Sequence, residues 1–214
     1  MGRLLIVNGS PRAPRSNSKR YGELFARCFS GDTDTYLITE KKHLRVFEGL
    51  NRYQDMLLVF PLYADGIPAV LLRFLQELEA FSPAQKPVIH VLINCGFLEP
   101  DQNQTACDMV KLFCAQNGYR FGSCLLIGSG EAILTTPFAF LARRGIKKLA
   151  ASIARGRPGI LKTTMPISKE MFVKASTQFW IRYGEKNKIG KQQMETMKIE
   201  GEGTEIEECF RQTD

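Results

Sequence analysis

Ten residues near the amino terminus concentrate the side chains best suited to hold an anion. From Gly9 to Ser18 the chain reads Gly-Ser-Pro-Arg-Ala-Pro-Arg-Ser-Asn-Ser. Ser10, Ser16 and Ser18 bring hydroxyls, Asn17 an amide, and Arg12 and Arg15 guanidinium groups. A helix pattern follows directly, and a helix start directs unpaired N–H groups and partial positive charge at an anion. Serine and arginine add hydrogen bonds and charge to the same spot. Helix capping accounts for one serine, but not for three hydroxyls, an amide and two arginines together. The spacing is neither GxGxxG nor GxxxxGK[ST], so the dinucleotide fingerprint and the P-loop are both excluded. The chemistry implied is phosphate binding.

Other chemistry is poorly supported. Six cysteines and two histidines are present, but no two cysteines have the spacing of paired zinc ligands. Cys107 and Cys114 are placed to share one helix face, and most cysteines read as small buried hydrophobes. His90 sits in an apolar run and reads as a core histidine. No Ser/His/Asp or Cys/His arrangement stands out.

The elements that must position the first loop follow from the hydrophobic pattern. Arg3–Asn8 reads as a buried strand ending in a Gly-Ser-Pro turn. A helix follows with Tyr21, Leu24, Phe25, Cys28 and Phe29 at helical spacing. Thr35–Thr39 is a second short strand, and His43–Asn51 a short amphipathic helix. Asp55–Tyr63 and Pro87–Cys95 are apolar without alternation, the signature of strands buried on both faces. Pro68–Phe81 is a helix with Leu71, Leu72, Leu75 and Leu78 inward. Thr105–Asn117 is helical, Ser123–Gly128 is a fifth strand, and Pro137–Ala154 a fifth helix. Five β-α repeats imply a parallel sheet with helices on both faces. Ligands of such sheets bind beyond the carboxyl ends of the strands, so the loops after Asn8, Tyr63 and Cys95 are the places to look.

Two segments in their correct order resemble the NAD(P)H-dependent FMN reductase branch of the flavodoxin-like superfamily. The first motif is matched by Gly9, Ser10, Arg12, Ser16, Asn17 and Ser18. The second is matched by Pro61, Tyr63 and Pro68. The similarity in topology covers about residues 3–155. It implies a flavodoxin-like three-layer sandwich with a five-stranded parallel sheet, order 2-1-3-4-5, and a bound FMN served by NAD(P)H as co-substrate. By that resemblance Pro61, Leu62, Tyr63, Ala64, Asp65, Gly66 and Ile67 run along the flavin ring. Asn94, Cys95, Gly96, Phe97, Leu98 and Glu99 form the flavin-contacting loop after strand four. Gly128-Ser129-Gly130 closes the rim. The implied acceptor is a small molecule: a quinone, a free flavin, an azo compound or a nitro compound. Members of the superfamily often form dimers, and a homodimer or higher homo-oligomer is expected. A flavodoxin-like electron carrier serving a protein partner is the alternative, although this chain is basic where flavodoxins are typically acidic. An iron–sulfur flavoprotein would need a cysteine cluster after strand three, and that stretch has none.

Charge and length bound the rest. The chain has 214 residues and a formal net charge of +7. Residues 200–214 hold six carboxylates against Arg211, a net of −5, so the remainder carries +12. A basic body attracts anions, yet no nucleic-acid motif appears. Arg143, Arg144, Lys147, Lys148, Arg155 and Arg157 give the fifth helix a basic face that reads as a solvated surface in preference to a membrane contact. No apolar run reaches the roughly 20 residues of a membrane span, and the first residues do not form a secretory signal, so a cytoplasmic location is expected. Residues 1–160 are expected to form the FMN-binding domain, 161–199 a helical extension and 200–214 an acidic tail. Within the extension Phe172, Phe179, Trp180, Ile181 and Tyr183 form an aromatic and apolar cluster suited to dimerisation or to shielding the flavin.

Overall fold

The computed structural model describes residues 2–39 and 43–195. Two compact units emerge, residues 2–166 and, as far as described, 167–195. In the first unit the strands are β1 (Leu4–Asn8), β2 (Thr33–Leu37), β3 (Asp55–Pro61), β4 (Val88–Asn94), β5 (Phe121–Ile127) and β6 (Ile160–Thr163). Its helices are α1 (Asn17–Cys28), α2 (Leu44–Glu48), α3 (Ala69–Phe81), α4 (Gln104–Gln116) and α5 (Ala139–Ala154). All neighbouring strands are parallel, in the order β2-β1-β3-β4-β5-β6.

The strands that read as continuous apolar runs are the central ones. Met56 through Phe60 and Ile89 through Asn94 are buried throughout, because helices cover both faces. Alternate residues Leu5, Val7, Met56, Leu58, Phe60, Val91 and Ile93 meet α3 and α4 through Leu71, Phe74, Leu78, Cys107 and Val110. The opposite face takes α1 and α5, which pack against one another; Gly22 of α1 sits close to Ile6, and Gly145 of α5 close to Leu125.

The expected sheet has five strands, whereas the structure has six. Strand β6 is only four residues long and half exposed, and pairing with β5 decides it. A short edge strand with one covered face leaves little signal in an isolated sequence. Two smaller expectations also change. Leu72 is exposed, and Phe74 takes its inward place. Cys28 is exposed at the end of α1, whose inner face is instead Ser18, Tyr21, Gly22 and Phe25.

His90 is buried, as its apolar surroundings imply. Its Nε2 lies 3.0 Å from Asp55 Oδ1, and its Nδ1 accepts from the Ser123 backbone N–H at 2.8 Å. The imidazole thus takes a backbone donor that the ladder would otherwise use, at the place where the β4–β5 register shifts.

The second unit contains α6 (Lys169–Lys186) and α7 (Lys191–Met194). Ser168 caps α6 by accepting from Met171 N. Phe179, Trp180 and Tyr183 contact one another on α6, with ring centroids 5.3–6.3 Å apart. Gly190 separates the two helices and caps α7. The end of the expected helical extension, residues 196–199, and the acidic tail 200–214 lie outside the described residues. Among the described residues no helix is long and apolar enough to cross a membrane.

Candidate functional site

The register of the sheet builds one edge from several strand ends. Asn8 pairs with Val59, Pro61 with Asn94, and Asn94 with Ile127. Strand order reverses between β1 and β3, and open parallel sheets bind ligands at such a point. A cavity of about 390 Å³ opens there, within the range of about 300–1,000 Å³ usual for small-molecule sites. Ser10, Arg12, Arg15, Ser16, Asn17 and Ser18 line it from the first loop, and Pro61, Tyr63 and Asn94 from the next two. Pro14, Lys19, Arg20, Glu23 and Glu131 complete the wall.

The first loop is held by Asn8, a residue that sequence reasoning treated only as a strand end. Its carboxamide accepts from Ser10 N at 3.1 Å and donates to Ala13 O at 3.1 Å and Ser16 Oγ at 3.4 Å. It is buried, and so are Ser10, Ser18 and Asn94. Polar groups so deep require partners. An asparagine bonding the backbone two residues on is a recognised turn device, and Asn before Gly-Ser was the available signal.

The three serines divide by the bonds they make. Ser16 caps α1: its Oγ accepts from Lys19 N at 3.1 Å and donates to Ala13 O at 3.2 Å. A hydroxyl has one proton, so that of Ser16 is committed. Ser10 Oγ accepts from Arg12 N at 3.2 Å, and Ser18 Oγ accepts from Asn94 Nδ2 at 3.3 Å. Neither donates to any group among the described residues, so both protons remain available to a ligand. Asn17 is held at the rim, where its Nδ2 donates to Glu131 O and its Oδ1 accepts from Arg20.

The second loop turns sharply. Tyr63 and Gly66 exchange backbone hydrogen bonds of 3.1 and 2.9 Å, which places Ala64 at φ 46° and Asp65 at φ 56°. Left-handed backbone costs an L-residue about 1–2 kcal/mol, and such strain collects at functional sites. Tyr63 remains 43% exposed at the cavity, an aromatic face open to a flat partner. Leu62 packs partly on the core, and Ala64 and Asp65 lie on the exposed turn.

The third loop packs inward at one end and opens outward at the other. Cys95 is buried, its thiol pointing to the carbonyls of Phe97 and Glu99, and it receives Asn103 Nδ2 at 3.3 Å. Burial pushes this thiol above its ordinary value, which makes it a packing group and not a nucleophile. Gly96 and Phe97 are exposed. Cys95, Gly96, Phe97 and Glu99 do not line the cavity. The Gly128-Ser129-Gly130 segment does close against this loop: a Cβ on Gly128 would lie 2.3 Å from Leu98 O, and one on Gly130 2.7 Å from Asn94 Cβ. Tyr21 on α1 donates to Gly130 O at 2.6 Å, tying α1 to the same rim. Among the described residues no cluster of His, Cys, Asp or Glu is arranged to hold a metal.

No protein-family model and no curated protein matches the sequence. Solved structures do match. An NADPH-quinone reductase from P. pentosaceus superposes with TM-score 0.54 and 15% identity, over 70% of this chain and 96% of its own. A flavodoxin from Streptococcus pneumonia TIGR4 gives 0.53 and 15%, over 72% and 99%. The chain has the flavodoxin-like fold. Rubredoxin oxygen:oxidoreductase from Desulfovibrio gigas matches at 0.56 and 11%, over 72% of this chain, which spans only 36% of that larger protein. At such identities the likeness is one of fold. Within the flavodoxin-like unit, the cavity between the β1–α1 loop, Tyr63 and Asn94 lies at the switch point of the strand order.

Proposed function

We propose that the flavodoxin-like unit binds FMN in this cavity and acts as an oxidoreductase, passing electrons from NAD(P)H to a small acceptor such as a quinone, flavin, azo or nitro compound. One observation carries the reading. Two buried serines with uncommitted protons, four cationic side chains and a helix start converge beside an open aromatic ring at the switch point of the sheet.

The donor set suits a phosphomonoester joined to a flat ring. Ser10 and Ser18 donate to the phosphate, Arg12 and Arg15 balance its charge, and Ser16 keeps α1 aligned. Asn94, fixed by Phe60 O and Ser18, and Pro61 and Tyr63 bound the space for the ring. The closed rim of Gly128–Gly130 keeps the third loop in place. A bound flavin supplies two-electron acceptance from reduced nicotinamide and delivery to the acceptor, so the protein's work is positioning.

The test is a fluorescence titration with FMN and with riboflavin. Tight FMN binding with much weaker riboflavin binding supports the phosphate cradle; equal affinities would remove its role.

A further inference from the structure

A second hollow of about 170 Å³ lies between α1 and α5. From α1 come Arg20, Glu23, Leu24 and Arg27, whose spacing puts them on one helix face. Arg143 comes from α5, and Leu134 from the preceding short turn. Arg20 and Glu23 line this hollow and the FMN cavity alike, so the two adjoin. Arg27 and Arg143 have no ion pair among the described residues, and Glu23 is drawn toward Lys19 at 3.9 Å.

Charge decides what the hollow is suited to hold. Across the two hollows six cationic side chains face two carboxylates. A phosphomonoester brings about two negative charges, so FMN leaves about two positive charges unanswered. Three arginines against the single carboxylate of Glu23 leave this small space with a positive excess that an anion answers, and guanidinium forks suit a phosphate in two-pronged contact. The volume is below that of a whole small-molecule pocket and fits a single tetrahedral group. Leu24 and Leu134 give the hollow apolar flanks for the nucleoside that bears it.

We propose that this hollow receives the 2′-phosphate of NADPH, which makes the chain selective for NADPH over NADH. The proposal rests on FMN occupying the neighbouring cavity. Of the basic residues on α5, Arg143 alone lines the hollow among the described residues; its neighbour Arg144 does not.

The test uses the full chain loaded with FMN and a quinone acceptor, comparing R27Q/R143Q with R144Q. All three arginines are exposed, so the variants keep their fold. The expected result is a rise of about tenfold or more in KM for NADPH in R27Q/R143Q, with KM for NADH and FMN affinity unchanged and R144Q like the parent. Equal changes for both nucleotides, or none, overturn the proposal. Calorimetry on the FMN-loaded chain gives an independent readout. There 2′,5′-ADP should bind about tenfold tighter than 5′-AMP, and R27Q/R143Q should abolish the difference. Equal affinities in the parent overturn the proposal even where FMN binds. Failure of the parent chain to bind FMN defeats the flavoenzyme reading and the proposal with it, an outcome distinct from equal nucleotide affinities in a chain that holds FMN.

Discussion

Replacing Ser16 and Ser18 one at a time should separate two roles that the sequence cannot tell apart. Ser18→Ala removes a hydroxyl whose proton is uncommitted and whose oxygen accepts from Asn94 Nδ2 at 3.3 Å. Asn94 keeps its bond to Phe60 O, so stability should fall by less than about 1 kcal/mol. A hydrogen bond to a charged phosphate is worth about 1.5–3 kcal/mol, so the Kd for FMN should rise about 10- to 100-fold. Ser16→Ala removes the cap that accepts from Lys19 N. It should cost about 1 kcal/mol of stability, or roughly 2–4 °C in Tm for a unit of this size, while FMN affinity falls far less than in Ser18→Ala. Urea unfolding measures the first quantity, and quenching of flavin fluorescence the second. Riboflavin is the control, since it has no phosphate and Ser18→Ala should leave its binding alone. If Ser16→Ala weakens FMN as much as Ser18→Ala, or if Ser18→Ala weakens riboflavin equally, the division of the serines is wrong.

Ala64 sits at φ 46°, so Ala64→Gly should stabilise the chain by about 0.5–1 kcal/mol once the entropy of glycine is counted; a lower urea midpoint would contradict this. The Asp34 carboxyl is held below its ordinary value by the Tyr53 hydroxyl at 2.8 Å, with Arg3 assisting. Its contribution to stability is therefore present above the ordinary carboxylate value and lost as pH falls through the lower folded value. Tyr53→Phe should flatten the fall in urea midpoint between about pH 5 and pH 2, and an unchanged slope would show that the bond has no such effect. A short iodoacetamide pulse near pH 8, read by peptide mass, should alkylate Cys28 and spare Cys95, Cys107, Cys114 and Cys124 in the native chain. Burial pushes Cys114 up to about 12 and raises Cys95, so labelling of Cys95 as fast as Cys28 would contradict a packing role.

The central strands were legible because burial on both faces writes itself as an unbroken apolar run, as in Met56–Phe60 and Val91–Ile93. That Ser10, Arg12 and Ser18 share one cavity wall was legible because they lie within nine residues on one strand–turn–helix. What escaped depends on partners distant in sequence or in bonding. Strand β6 exists because β5 offers it a ladder. The special role of Asn8 appears only when the loop folds back to bring Ala13 and Ser16 within its reach. Arg20 and Glu131 join the cavity because α1 and the β5–α5 loop meet there, at the Asn17–Glu131 and Tyr21–Gly130 bonds. Leu72 reads as inward from its spacing and is exposed, while Phe74 is buried, because a helix phase error of one or two residues moves a side chain across the boundary of the buried face.

The most direct measurement is the visible spectrum of the purified chain with added FMN, followed by NADPH under anaerobic conditions. The account predicts a perturbed flavin band that co-elutes with the protein and bleaches within seconds of NADPH addition. A chain that leaves FMN in free solution would contradict its central claim, and bound flavin that stays oxidised would contradict the nicotinamide half of it.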